Sequence, residues 1–508
     1  MARRPLGYAH LIAAYGLPAR ELSLRCYLDT TIRQRSESVR GEQTIWLFEQ
    51  KYLKGAGTLV EHLEFALRYE GANLEVLALL FARHGKAELE AWLRASPRGR
   101  YARQAGFLYE FLTGDLLTVP SVPPKTAYTP LLDSTRYITG QEARNAKFGI
   151  LVNLLGNAGF CPTVRKTPYI VAQQAKNLKA LTAQTLAQYD KSLLDRAAAF
   201  LYLKETHSSF SIEREKPSAS RAERFAQLLA SAGDIGALTK DELVRLQNVV
   251  IDGRFAELWF RGQQNWVGKE VGAYYKRVDF VPPKPEDVES LLDGLIAFAN
   301  QNLHQGIQGS DDIVMAASVA FGFVFIHPFM DGNGRLHRFL IHQMLSRSGF
   351  TPRGVILPVS AVILANLNEY VSVLENFSKA LLPLVHYDPN TPETPATGND
   401  AVYYRFFDVT QQVEFLYSAL ERTVTHDLEK EIEFLIHYDA AHSRLNAEFD
   451  WPKGRLDLFI RILAENKGEL SVRKRASHFE FLSDQETSDF EALFKEAFEM
   501  DGGVRQVG

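Results

Sequence analysis

The feature that most narrows what this chain can fold into is the run DDIVMAASVAFGFVFI, residues 311–326, which opens on two acidic residues and is apolar on nearly every face thereafter. Acidic side chains suit the positive end of a helix dipole, and a helix apolar all round is stable only inside a core or a membrane. The longest apolar stretch, Ile313 to Ile326, is shorter than the ~18 residues that suggest a membrane span. The pattern therefore predicts a buried central helix. It must end near His327, because the residue before Pro328 is biased away from right-handed helical backbone.

Elsewhere Leu, Ala and Phe recur at three- and four-residue intervals and alternating runs are few, which predicts an all-α or nearly all-α chain. At 508 residues it is too long for one ordinary core. The periodicity breaks at VPSVPPKTAYTP (119–130) and NTPETPATGND (390–400), where Pro, Thr and Gly take over. We expect an N-terminal helical region (1–189), a central body (190–388) and a C-terminal helical region (400–508). The exception to helix is FRGQQNWVGKEVGAYYKRVDFVPP (260–283). Its glycines at 262, 268 and 272, with Trp266, Val267, Val271, Tyr274 and Tyr275 between them, fit a short β-hairpin or an extended connecting loop.

Bulk properties act mainly by exclusion. A formal net charge of -4 gives no global case for binding nucleic acid or an anionic membrane. Cys26 and Cys161, far apart in sequence, supply neither a disulfide framework nor a zinc site. MARRPLGYAH carries positive charge but no following apolar stretch of signal-peptide type, so the expected location is cytoplasmic.

Chemistry concentrates just after the central helix. DGNG (331–334) tolerates left-handed backbone and opens directly into another helix, so its amides and the positive end of the helix dipole can bind phosphate. Arg335 and Arg338, at i and i+3, face one way, and guanidinium groups grip phosphate oxygens in pairs without losing charge. Asp331 offers a hard oxygen for Mg²⁺ shared with a nucleotide. His327 has the residue type of a base that takes a proton from an attacking hydroxyl.

Together these residues, HPFMDGNGRLHR, resemble the signature of the Fic family, HPFx(D/E)GNGRxxR, at every specified position. The resemblance runs from about 190 to 385 and includes QNWVG (264–268) and VPPKPEDV (281–288). It implies a helical Fic core with a β-hairpin flap and a protein adenylyltransferase activity, in which AMP passes from ATP to a Ser, Thr or Tyr hydroxyl of a target protein. By the same resemblance His327 would be the base, Asp331 would hold Mg²⁺, Gly332, Asn333 and Gly334 would cradle the α- and β-phosphates, and Arg335 and Arg338 would bind the β/γ end. Gly262, Trp266, Val267 and Gly268 would belong to the flap that docks the target's main chain. In EYVSVLENFS (369–378), Tyr370 and Leu374 fit the spacing of adenine contacts, while Ser378 stands where asparagine is common. Relatives that transfer phosphoryl groups carry lysine where this chain has Gly334, which favours AMP transfer.

Upstream, THSSFSIEREKPS (206–218) resembles the family's inhibitory helix, (S/T)xxxE(G/N), with Ser209 and Glu213 in place and Arg214 departing from Gly or Asn. The resemblance implies that Glu213 pairs with Arg338 and restrains the reaction. Removal of AMP from targets, transfer of another nucleotide, self-modification and a homodimer are all compatible with it. A nucleotide-binding P-loop is excluded, because Gly262 to Glu270 has the wrong spacing and lacks the hydroxyl that would hold Mg²⁺. His337 and His342 stand roughly 140° apart on a helix and cannot share a zinc ion. A rival of another class lies near the C-terminus, where an Asn-Lys-Gly turn, a helix started by Ser471 with Arg473, Lys474 and Arg475, and a capping box at Ser483 and Glu486 fit either a nucleic-acid-binding helix-turn-helix or a small docking bundle.

Overall fold

The computed structural model describes residues 3–41, 43–52, 57–271, 275–305, 312–391, 394–452 and 454–499. Its organising element is the central helix Asp312–Ile326, buried at every position from Ile313 to Ile326. Asp311, expected at its start, lies outside the described residues. Three helices surround it: Pro285–Gln305, Thr410–Arg422 and the motif helix Asn333–Arg347. Aromatic rings lock them together. Phe325 stacks on Phe377 at 3.9 Å between centroids, and Phe321 meets both His337 and Phe415 edge-on. The lateral helix Lys191–Ile212 packs along the helix Val359–Ala365 and touches the motif helix, so its C-terminal end reaches the loop after the central helix.

The fold is mainly helical, as periodicity predicts, with small sheets added. The N-terminal region departs from the expected helices. Arg4–Leu6, Leu24–Leu28, Gln43–Phe48 and Ser36–Arg40 form a four-stranded sheet in that order, and only the pairing of Leu24–Leu28 with Gln43–Phe48 is parallel. Ser36–Arg40 is exposed along its whole length, so no apolar alternation marks it as a strand. Tertiary pairing, not local pattern, makes this sheet. The FRGQQNWVG segment does form a hairpin, Val267–Val271 paired antiparallel with Tyr275–Phe280; Gly272 and Tyr274 lie outside the described residues.

Buried apolar side chains fall into three large clusters. The N-terminal one runs from Tyr8 to Cys161 and also takes in Phe406. The central one extends from Ile138 to Ile432, well past the break at 390–400. A third, Ala441 to Ala497, holds the C-terminal helices Arg455–Glu465, Val472–His478 and Asp484–Glu499. Here the Asn-Lys-Gly turn carries left-handed Lys467 and Gly468, Ser471 caps the second helix, and the Ser483/Glu486 capping box closes the start of the third. That third helix bears Asp484, Glu486, Asp489, Glu491 and Glu496 against Lys495, a charge that repels a phosphate backbone. Both cysteines are buried and unbridged, and no helix among the described residues is long and apolar enough to cross a membrane.

Because the Phe325–Phe377 stack ties the central helix to its surround, Phe325→Ala is expected to cost about 3–5 kcal/mol of unfolding free energy. Denaturant unfolding measures this. A loss below about 1 kcal/mol shows that the stack is not what holds the helix.

Candidate active site

The central helix ends by force at His327. Its amide still donates to the Phe323 carbonyl at 2.9 Å, yet its φ is +50, a left-handed value that costs a non-glycine residue about 1–2 kcal/mol. Buried Arg261 holds this geometry. Its Nε donates to the His327 carbonyl at 2.8 Å, its backbone N–H to the Pro328 carbonyl at 2.9 Å, and its Nη2 to the Pro283 carbonyl at 2.6 Å. Burial, with the Arg261 charge nearby, lowers the His327 pKa to about 4, so the ring is neutral at physiological pH. Nδ1 lies 3.2 Å from the Val324 carbonyl, which can only accept. Nδ1 therefore carries the proton, and Nε2 is left with its lone pair.

The next residues form a stitched loop. The Asn333 side chain accepts from Phe329 N at 3.1 Å and donates to the Phe329 carbonyl at 2.7 Å, and Asn265 donates to that same carbonyl. Asn333 thus spends its side chain on loop shape and presents only its backbone to a ligand. Glu257 accepts from Met330 N at 2.9 Å. Gly332 has φ +92 and caps the motif helix, and a Cβ there would also meet Ile251 at 3.0 Å. The first-turn amides, at Asn333, Gly334 and Arg335, have no intrahelical acceptor and face an incoming anion. Asp331 is half exposed, its Oδ1 bonded to Gly332 N and to Arg335 at 2.8 Å. One accessible carboxylate beside a phosphate-type nest fits Mg²⁺, which takes few protein ligands and completes its shell with phosphate and water. Among the described residues no cluster of three or more acidic, His or Cys side chains offers an all-protein site.

Arg335 and Arg338 of the motif helix are each only 1% exposed. Arg335 pairs with Glu215 at 2.8 Å as well as with Asp331, and lies over the Phe210 ring. Arg338 is gripped by the end of the lateral helix: its Nε donates to Ser209 Oγ at 2.8 Å, Nη2 to the Ser209 carbonyl at 2.8 Å, and Nη1 to Glu213 at 2.9 Å. The Glu213 carboxylate closes over Gly334, where a Cβ would come within 2.1 Å of its Oε1. Position 214 follows the helix end with φ +57, which explains why Gly or Asn would be easier there than Arg214.

Tyr370 is buried against His337, with its hydroxyl toward Arg338, and burial pushes its pKa up to about 12 despite that arginine. In this conformation it supports the guanidinium. Leu374 is partly buried against the same core. At the flap, a Cβ on Gly268 would strike the Arg277 carbonyl at 2.0 Å, while Gly262 has open space and no need to be glycine. Trp266 is half-buried and Val267 exposed. Sequence reasoning missed Glu215, Glu257, Arg261 and Asn265. Only tertiary contact brings them to the motif, and no local spacing announces it.

Residues 237–345 match the sequence model of the Fic/DOC family. Over 74 residues the chain is 42% identical to the protein adenylyltransferase Fic of Nematostella vectensis, covering 15% of this chain and 17% of that protein. Over 80 residues it is 41% identical to the protein adenylyltransferase fic-1 of Caenorhabditis elegans, covering 16% and 15%. The match thus spans less than a fifth of either relative's length. A Fic family protein from Desulfovibrio desulfuricans G20 aligns in structure with a TM-score of 0.37 and 19% identity, over 67% of this chain and 91% of that one. The stretch that carries HPFMDGNGRLHR, residues 237–345, is thus similar to the Fic/DOC family.

Proposed function

We propose that this protein transfers AMP from ATP to a Ser, Thr or Tyr hydroxyl of a protein, and that Glu213 restrains it. The observation that carries the reading is one neutral imidazole with a free Nε2 standing beside a loop of anion-seeking amides and two buried guanidinium groups. In the step proposed, the acceptor hydroxyl gives its proton to Nε2 of His327 as its oxygen bonds to the α-phosphorus, and the bond to pyrophosphate breaks. Amides at 333–335 stabilise the α- and β-phosphates, and Arg335 and Arg338 take the charge toward the leaving end. Asp331 would hold Mg²⁺, which supplies charge neutralisation between the phosphates. The names of the relatives support adenylyl transfer, and Gly334 in place of lysine supports it over phosphoryl transfer.

A macromolecular acceptor is supported by the rim of the site. Leu258 is 96% exposed, Phe255 61% and Met330 53%, on two segments joined by the Glu257–Met330 contact beside His327. Exposed apolar groups clustered at a site mouth mark protein contact. The neighbouring hairpin can add a target strand to its edge. Restraint is supported by the carboxylate above Gly334: it satisfies Arg338 in the place a phosphate end would take. The same glutamate could serve hydrolysis of AMP from a target, so both directions are assayed together. The acidic third C-terminal helix gives the nucleic-acid reading no support.

Glu213→Gly is expected to raise incorporation of label from α-labelled ATP into the protein itself by about tenfold or more, because the competent arrangement no longer competes with the ion pair. Unchanged incorporation removes Glu213 from the restraint. In that background His327→Ala should lower transfer by about 10²–10⁴ while calorimetric ATP binding persists; retained transfer ends the assignment of the base. Since the His327 pKa lies below its ordinary value, the proton-accepting form persists as pH falls and is lost only near pH 4. The acid limb of kcat/KM, which reports the free enzyme, is thus expected well below pH 6.5. A limb centred at or above that value contradicts the neutral imidazole.

A further inference from the structure

Glu205, Ser209 and Glu213 recur at four-residue steps of the lateral helix and so lie on one face. Facing them, His342, Arg338 and Gly334 recur at four-residue steps of the motif helix in the opposite order. The contacts match rung by rung. Glu205 Oε1 lies 2.7 Å from His342 Nε2, Ser209 holds Arg338, and Glu213 reaches Arg338 and covers Gly334. The first rung lies inside the core, with Glu205, His342 and Ser360 all buried. Glu205 Oε2 accepts the Ser360 amide at 2.8 Å, and the Ser360 hydroxyl donates to Oε1. A carboxylate in a hydrophobic core persists only where its donors are fixed.

We infer that Glu205 is a positioning residue that sets the register of the lateral helix and so delivers Glu213 to Arg338; this rests on the restraint proposed above. Sliding the lateral helix one turn along the motif helix, about 5.4 Å, brings Leu201 or Ser209 opposite His342 and Ser360. Neither supplies two acceptor oxygens. In either direction the ring nitrogen and the Ser360 amide then lose their acceptors away from water, so the packed helix has one register. Lys204, the adjacent residue, pairs with Glu431 on a different side and does not contribute to this contact. The ladder thus divides labour: Glu205 locates the helix, Ser209 orients the guanidinium, and the half-exposed Glu213 at the helix's C-terminal end is the rung that can leave.

The test measures self-incorporation of label from α-labelled ATP in Glu205→Ala, Glu205→Gln and Ser360→Ala, each with Glu213 and with Glu213→Gly. Glu205→Ala should raise the rate about tenfold when Glu213 is present, as expected for losing a buried charged contact, and add nothing once Glu213 is glycine. Glu205→Gln, which keeps an acceptor for the Ser360 amide, should fall between. An equal rise in both backgrounds, or no rise with Glu213 present, overturns the inference. Where Glu205→Ala does not fold, Ser360→Ala, which removes one donor only, is judged by the same comparison. Should Glu213→Gly itself transfer nothing, the proposed function fails, and amide hydrogen exchange decides the register claim separately: faster exchange across 209–215 in the Glu205 variants upholds it, and unchanged exchange refutes it.

Discussion

A guanidinium inside a protein core needs an anion. Arg338 is almost fully buried, on a helix wedged against the apolar central helix, and cannot lose its charge or reach water. Whatever else occurs in this molecule, that cation must be met by acceptors. Here they are Ser209 and Glu213, delivered by a helix from outside the motif. A nucleotide phosphate is the other acceptor of suitable charge and geometry, so under the proposed function the choice between restraint and turnover is a competition of two anions for one cation.

The same economy governs His327. The central helix is rigid because it is apolar all round, and the residue that follows it inherits that rigidity along with a left-handed backbone that Arg261 holds through its carbonyl. A ring held this way loses little entropy on meeting a hydroxyl. Its neutral state follows from the burial that fixes it, so position and protonation have one cause.

How much of this could be read from residues alone depends on where each interaction is encoded. The central helix, its end before Pro328 and the turn into the motif helix from Asp331 to Arg338 were legible, because a continuous apolar run and twelve adjacent residues encode them. Glu213 was legible only through family resemblance, since an isolated glutamate at a helix end carries no signal of its own. Arg261 was not legible: it acts on a backbone carbonyl 66 residues away, and nothing in its own neighbourhood distinguishes it from a surface arginine. The N-terminal sheet stayed hidden for a related reason, because strands of three to six residues with polar faces carry no periodicity that outweighs the helical background. Glu215 and Asn265 belong with Arg261, as residues whose partners are chosen by the fold.

Gly334 is bounded on one side by the helix that would carry phosphate and on the other by the Glu213 carboxylate. A residue with any side chain there evicts that carboxylate at the same moment as it alters the anion nest. Under the proposed function, ligand preference and restraint are therefore not independent traits at this position. A lineage that exchanged the glycine for a longer residue would have to give up this form of control and change its chemistry in a single mutational event, which makes the absence of a methyl group at one backbone atom a lock between regulation and specificity.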